Sequence, residues 1–254
     1  MTALTVTVAL GAGAALTAAA TAPASAVANP APPVLRVMPL GDSITDGYQG
    51  STNAGYRVPL WQKALTHPRF RVDFVGSRQS GSAPDNDNEA HGATVINDFR
   101  GKAGDWIRSA EPDVVLLHHG VNDLDRGTDK ANAPVRLAAV TEEILAARPG
   151  VTVVLMGLIP TSAPAGVSSF NTAVKTWASA RAQAGAKVRY IDAPALVPGE
   201  LADGLHPNDA GYSRMGDAFF DGIDKAVADG IAVRTHTARA GIETGGAGRV
   251  RWAD

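Results

Sequence analysis

"VLRVMPLGDSITDGY", Val34 to Tyr48, is the stretch whose reading decides the fold. Its first seven residues form an apolar run of strand length, and an apolar run without alternation is what a strand buried on both faces requires. The polar turn behind it opens with Gly41, Asp42 and Ser43. A serine in such a turn is ordinarily a backbone-bonding residue. Whether Ser43 does more depends on what the rest of the chain brings beside it.

Four further runs have the same character: "RVDFVGS" (Arg71–Ser77), "DVVLLHH" (Asp113–His119), "VTVVLMGL" (Val151–Leu158) and "KVRYID" (Lys187–Asp192). Helical patterns fall at Tyr56–Leu65, Gly104–Ala110, Ala131–Arg148, Ser168–Ala184 and Asn208–Ala228. In the last, Tyr212, Met215, Phe219, Ile223 and Val227 recur at helical spacing and predict a buried stripe. Strand alternating with helix predicts a three-layer α/β/α sandwich around a parallel five-stranded sheet. Ligands in such folds bind beyond the carboxyl ends of the strands. Ser43, the "HHGVND" segment and the stretch after "RYID" all fall there.

The 254 residues suffice for one sizeable core. A net charge of -2 with 19% charged residues gives no basic surface for a nucleic-acid partner. There is no cysteine, which excludes disulfides, thiolate catalysis and cysteine-ligated zinc. Residues 1–33 carry no charged side chain, and "ASA" at Ala24–Ala26 is the small-x-small pattern cut by signal peptidase. The expected organisation is a secretory signal over 1–26, a linker over 27–33, a hydrolase domain over 34–229 and a flexible tail over 230–254. The signal lacks the usual opening Lys or Arg. An uncleaved anchor is the other reading, but the many Ala, Gly and Thr residues are weakly apolar for a span. The expectation is a secreted monomer, with no membrane contact once the signal is removed.

A serine hydroxyl needs a base to take its proton, and the base needs a third group to orient it. In "DGLHPNDAGY", Asp203 and His206 are three apart, so a carboxylate on one short turn can reach Nδ1 and leave Nε2 facing outward. The plainer reading is an Asp-Gly turn beside a surface histidine, and this segment by itself does not separate the two. In "GVND", Asn122 offers a neutral amide donor suited to an oxyanion, and Gly120 permits close backbone approach. The plainer reading there is an Asn-Asp turn after a strand.

The ordered set "GDSITDG", "GVND" and "DGLHP" resembles the SGNH (GDSL-type) hydrolases, esterases and lipases named for Ser, Gly, Asn and His in four blocks. The resemblance runs from about Arg36 to about Val227. Within that family, "AGYRVPLWQKAL", "RVDFVGS", "NEAHGATVINDF" and "PDVVLLHHGVNDL" are similar to secreted carbohydrate esterases of the acetylxylan esterase kind. The resemblance implies a flavodoxin-like sheet, with Ser43 as nucleophile, His206 as general base and then acid, and Asp203 orienting it. It also implies an oxyanion hole made in part by Asn122 and the Ser43 N–H, and neither cofactor nor metal. The expected substrate is a small acyl ester, acetyl above all, as on acetylated polysaccharide.

The second block departs from the family pattern. "AHGA", Ala90–Ala93, puts Ala93 at the position of the glycine that lends an N–H, with Gly92 before it. Gly92 is the first candidate and Ala93 the second, the latter on condition that its φ is not positive. Gly101 and Gly104 fit the spacing less well. Thr45 stands where the α/β-hydrolase elbow G-x-S-x-G has its second glycine, which disfavours that fold.

Asp42, Tyr48 and Arg57 are the candidate substrate contacts. Asp42 also reads, with Asp46 and Asp123, as a backbone-bonding turn residue, and Arg57 as a helix cap. The sharper reading clusters these aspartates with His206 around a metal, as a phosphatase would. "DNDNE", Asp85–Glu89, is spaced like a calcium loop, but Ala90 and Ile96 replace the required Gly and Glu, so a solvated loop is expected. His118 and His119 end a strand, and one of them must face core or cleft. Trp61, Trp106 and Trp177 fall on helical patterns as core or rim residues. Two rivals remain at this point: a lipase, arylesterase or phospholipase of the same family, and a silent carbohydrate binder or metal phosphatase on the same fold.

Overall fold

The computed structural model describes residues 1–3, 31–161 and 165–233. The expected signal over 1–26 lies almost wholly outside the described residues, as do 27–30 of the linker and all of the tail beyond 233. The chain divides into two units, 1–31 and 32–254, and the fold below belongs to the described residues of the second.

Seven strands form one sheet: β1 (Val34–Gly41), β2 (Arg71–Phe74), β3 (Arg78–Gln79), β4 (Asp87–Ala90), β5 (Val114–His118), β6 (Thr152–Met156) and β7 (Val188–Ile191). The five apolar runs supply β1, β2, β5, β6 and β7, which lie side by side and all parallel in the order β2-β1-β5-β6-β7. Renumbered among themselves these read 2-1-3-4-5, the flavodoxin-like order. The runs are continuous because both faces of the sheet are covered: every residue of β5 and of β6 is buried.

The expected strand count of five is corrected to seven. β2 releases β1 at Val37, and β4 takes its place against Leu40 and Gly41, with β3 paired antiparallel to β4. The "DNDNE" segment is therefore largely strand rather than solvated loop, and Asn88 and Glu89 are fully buried. Hydrogen bonds compensate their burial. Glu89 accepts from the Ser77 N–H at 2.7 Å and its hydroxyl at 2.9 Å. The Asn88 amide donates to the Asn86 carbonyl at 2.9 Å and accepts the Ala90 N–H at 3.0 Å.

The helices are α1 (Ser43–Asp46), α2 (Arg57–Ala64), α3 (Ala103–Ala110), α4 (Val121–Arg126), α5 (Ala133–Ala147), α6 (Val167–Gln183) and α7 (Asp209–Ala228). α2 and α7 pack together as one layer, and α3, α5 and α6 form the other. α7 starts where Asn208 caps it, its side chain accepting the Ala210 and Gly211 N–H groups. Tyr212, Met215, Phe219 and Ile223 form the predicted buried stripe, with Val227 half-buried at its end.

Candidate active site

β1 delivers the nucleophile candidate to the carboxyl edge of the sheet. Gly41 is needed there, because a Cβ would lie 2.2 Å from the His118 carbonyl oxygen and 2.3 Å from Thr45 Oγ1. Asp42 then caps α1, its Oδ1 accepting the Ile44 N–H at 3.0 Å. The helix ends after one turn at Gly47, whose φ of 94° is left-handed. Ser43 thus stands at the helix start, at the rim. The other Asp42 oxygen accepts from His119 Nδ1 at 3.3 Å, which ties the end of β1 to the end of β5. Burial pushes Asp42 up, but the His119 hydrogen bond and the two adjacent imidazoles outweigh it and hold the carboxylate below its ordinary value.

His206 arrives on a tight turn before α7. Leu201 bridges Pro207, the Ala202 N–H donates to the His206 carbonyl at 2.8 Å, and Gly204 takes a φ of 83°. On that turn Asp203 Oδ2 accepts from His206 Nδ1 at 2.8 Å, while Oδ1 accepts the N–H groups of Leu205 and His206 at 3.0 and 2.7 Å. Burial would raise the Asp203 pKa, but these bonds prevail and pull it down to about 2. With Nδ1–H given to Asp203, the Nε2 lone pair faces Ser43 Oγ, 2.9 Å away. Three side chains from two segments are thereby within proton-transfer reach.

Asn122 lies on the first turn of α4, 2% exposed. Its Nδ2 donates to the Thr94 carbonyl at 2.8 Å and its Oδ1 accepts from Arg126 Nη1 at 3.0 Å. One of the two amide hydrogens is therefore used in fixing the side chain. Arg126 also donates to the Ala93 carbonyl. Ala93 has a φ of 61°, so the condition placed on its donor role fails. That left-handed conformation is one a glycine adopts without strain. Gly92 stays outside that region and is exposed. Gly101 forms a left-handed turn and Gly104 lies within α3.

The substrate-contact candidates separate. The Tyr48 ring lies 4.8 Å from the His206 ring at 74° and is 53% exposed. Arg57 is fully buried, donating to the carbonyls of Asp46, Ser80 and Asn86 and to Ser80 Oγ. It braces the loops under the nucleophile turn, which corrects the expectation that it meets a substrate oxygen. Asp42 is buried too, with both oxygens bonded as described, and is likewise no surface contact. Asp123 accepts from Arg136 and from the Ile96 N–H. The aspartates do not converge on His206, and among the described residues no group of three His, Asp or Glu side chains is placed to hold a metal. His118 and His119 are both buried, and burial drives His118 down to about 4.

Several participants escaped the sequence reading. Tyr212 donates its hydroxyl to the Tyr48 carbonyl at 2.7 Å, and Gln49 reaches within 3.5 Å of Asp203 Oδ2. Arg126 could have been found from its position four residues after Asn122 on one helix. Thr94 contributes a main-chain carbonyl, which carries no residue-type signal.

The GDSL-like Lipase/Acylhydrolase family matches residues 40–214. A multidomain esterase of Ruminococcus flavefaciens is 29% identical over 227 residues, 75% of this chain, and the chain spans only 28% of that relative's length. Among solved structures, a family 3 carbohydrate esterase of Clostridium thermocellum is 28% identical with a TM-score of 0.70, covering 79% of this chain and 100% of its own. A mutant acetyl esterase with acetate ion is 27% identical with a TM-score of 0.66, covering 77% of this chain and 99% of its own. With its motifs in order on this fold and most of the domain matched, the chain belongs to the GDSL-like lipase/acylhydrolase family.

Proposed function

We propose that the protein is a secreted serine esterase that removes small acyl groups, acetyl above all, from polysaccharide. The observation that carries the chemistry is the relay Ser43–His206–Asp203, with links of 2.9 and 2.8 Å. Ser43 Oγ attacks the ester carbonyl carbon as its proton passes to His206 Nε2, and the C=O electron pair moves onto oxygen. Asn122 Nδ2 and the Ser43 N–H stabilise that oxyanion. The intermediate collapses by breaking the bond to the alcohol oxygen, which takes the proton from His206 and leaves an acyl-Ser43. Water then attacks, its proton going to His206, and collapse returns that proton to Ser43 Oγ and releases the acid.

The acetyl preference is supported by the likeness to an acetyl esterase and to a family 3 carbohydrate esterase. Secretion is supported by the uncharged stretch ending in "ASA". Sequencing the amino terminus of protein recovered from culture medium tests it, with Val27 as the expected first residue.

The test of the chemistry is hydrolysis of a short aryl acetate by the protein and by Ser43→Ala, both in excess chelator. Turnover that disappears with the hydroxyl is expected. Turnover unaffected by Ser43→Ala would identify a different nucleophile, and loss of turnover in chelator would return the metal phosphatase reading.

A further inference from the structure

Behind the nucleophile helix the chain runs Gly47-Tyr48-Gln49-Gly50, and for an exposed segment it is firmly held. Gln49 takes a φ of 70°, a conformation that strains any residue with a Cβ and persists only where the surroundings impose it. The Tyr48 N–H donates to the Ser43 carbonyl at 3.0 Å, and the Tyr48 carbonyl accepts from Tyr212 at 2.7 Å. Tyr212 is buried, and burial pushes its phenol well up, so it is a neutral, permanent donor. Three residues after Tyr48, the Ser51 N–H donates to Asp209 at 2.8 Å. Both main-chain polar groups of Tyr48 are therefore fixed, one to the nucleophile and one to α7.

The Tyr48 side chain is held in place yet left open. Its ring packs against His206, and it is the one aromatic among the large exposed hydrophobic side chains of the described residues. Trp61 is buried, and Trp106 and Trp177 pack half-buried against the core. An exposed aromatic fixed by its backbone presents a rigid apolar face at small entropic cost.

We infer that Tyr48 is the platform for the alcohol half of the ester, with the ring of the leaving group lying against its open surface. Its identification as a pyranose rests on the function proposed above. The side of the site follows from proton transfer. His206 hands its proton to the leaving oxygen, so that group sits beside His206, and Tyr48 packs on His206. The carbonyl oxygen turns instead to Asn122, whose partners are Thr94 and Arg126. One wall is built from the segment behind α1 and the turn before α7, the other from α4 and the loop after β4 that carries Thr94. A pyranose offers a face of C–H groups, which suits the negative face of an aromatic ring.

The test measures kcat/KM for Tyr48→Ala, Tyr48→Phe and Tyr48→Trp on acetates that differ only in the alcohol: ethyl acetate, phenyl acetate and an acetylated xylooligosaccharide. Tyr48→Ala lowers all three, and its loss on the oligosaccharide exceeds its loss on ethyl acetate by about 10-fold or more, from the apolar area uncovered. Tyr48→Phe and Tyr48→Trp keep the oligosaccharide-to-ethyl ratio. The acetyl-to-butyryl ratio on ethyl esters is the same in all forms. Equal losses on ringed and ringless esters would overturn the platform and leave Tyr48 only a support for His206, which a shifted pH profile would register. A changed acyl preference would also overturn it, placing Tyr48 on the acyl side. Should the unmutated protein cleave phenyl and ethyl acetate but no acetylated oligosaccharide, the polysaccharide reading fails, and the platform is decided by the phenyl-to-ethyl ratio under the same criterion.

Discussion

Asp203 grips His206 at two points with one carboxylate: Oδ2 accepts the ring Nδ1–H at 2.8 Å, and Oδ1 accepts the main-chain N–H at 2.7 Å. The second bond fixes where the carboxylate sits, so the first fixes the orientation and tautomer of the ring. A pKa of about 2 follows from the same bonds, and it keeps the carboxylate charged throughout the range in which an esterase works.

Asp203→Asn tests this grip with little change of shape. The amide oxygen keeps the main-chain bonds, and the NH2 group then faces Nδ1, so the ring must carry its proton on Nε2 and can no longer accept from Ser43. A fall in kcat of roughly 10,000-fold on an aryl acetate is expected, the size seen where a triad carboxylate is replaced in this way. Because the folded pKa lies below the unfolded one, the stability Asp203 contributes is present above about pH 4 and is lost as pH falls toward 2. Urea midpoints measured from pH 5 down to pH 2 should therefore decline less in Asp203→Asn than in the unmutated protein.

Asn122→Ala removes an amide held between Thr94 and Arg126. Loss of one oxyanion donor lowers kcat by roughly 100- to 1,000-fold. The half-buried Thr94 carbonyl and the exposed Arg126 guanidinium also lose a partner, but water can replace it there, so stability should fall by only about 1 kcal/mol. A large stability loss with kcat within a few-fold of normal would assign Asn122 to structure and not to the oxyanion.

The parts of this fold that are legible in the sequence are the parts governed by local pattern. Runs such as "DVVLLHH" announce strands because β5 is buried on both faces, and Asp203 with His206 could be paired because they share one turn. The approach of Ser43 to His206 spans 163 residues and was visible only through the order of the motifs. What escaped are polar residues made buriable by distant partners. Glu89 reads as a loop acid until Ser77 and His91 are seen to bond it, and Arg57 reads as a ligand-binding cation until three main-chain carbonyls are seen to surround it. Carbonyls are common to every residue, so nothing in the residue types marks that cage. The left-handed φ of Ala93 is likewise a property of the turn.

Asp85 carries a different pH signature. Burial outweighs the N–H bonds from Phe74 and Asp87 and raises its pKa to about 7. The folded pKa lies above the unfolded one, so the folded protein binds the extra proton, and stability is greatest below about pH 4 and declines as pH rises toward 7. Asp85→Asn keeps an acceptor for Phe74 and removes the titration. Urea midpoints at pH 5 and pH 8 should lie closer together in Asp85→Asn than in the unmutated protein. An unchanged gap would show that Asp85 is ionised across the range.

Ala93→Gly makes a prediction of small size and definite sign. A left-handed alanine costs about 1 to 2 kcal/mol relative to its ordinary conformation, and glycine removes that strain. Glycine also gives the unfolded chain more freedom, which costs about 0.4 to 1 kcal/mol in return. Strain relief is on balance the larger of the two, so Ala93→Gly should be stabilised by up to about 1.5 kcal/mol in urea unfolding. Activity on an aryl acetate should stay within a few-fold, because the Ala93 carbonyl that Arg126 holds is main chain and survives the change. Destabilisation would mean that the turn does not hold residue 93 at a positive φ, and would reopen Ala93 as the second-block donor.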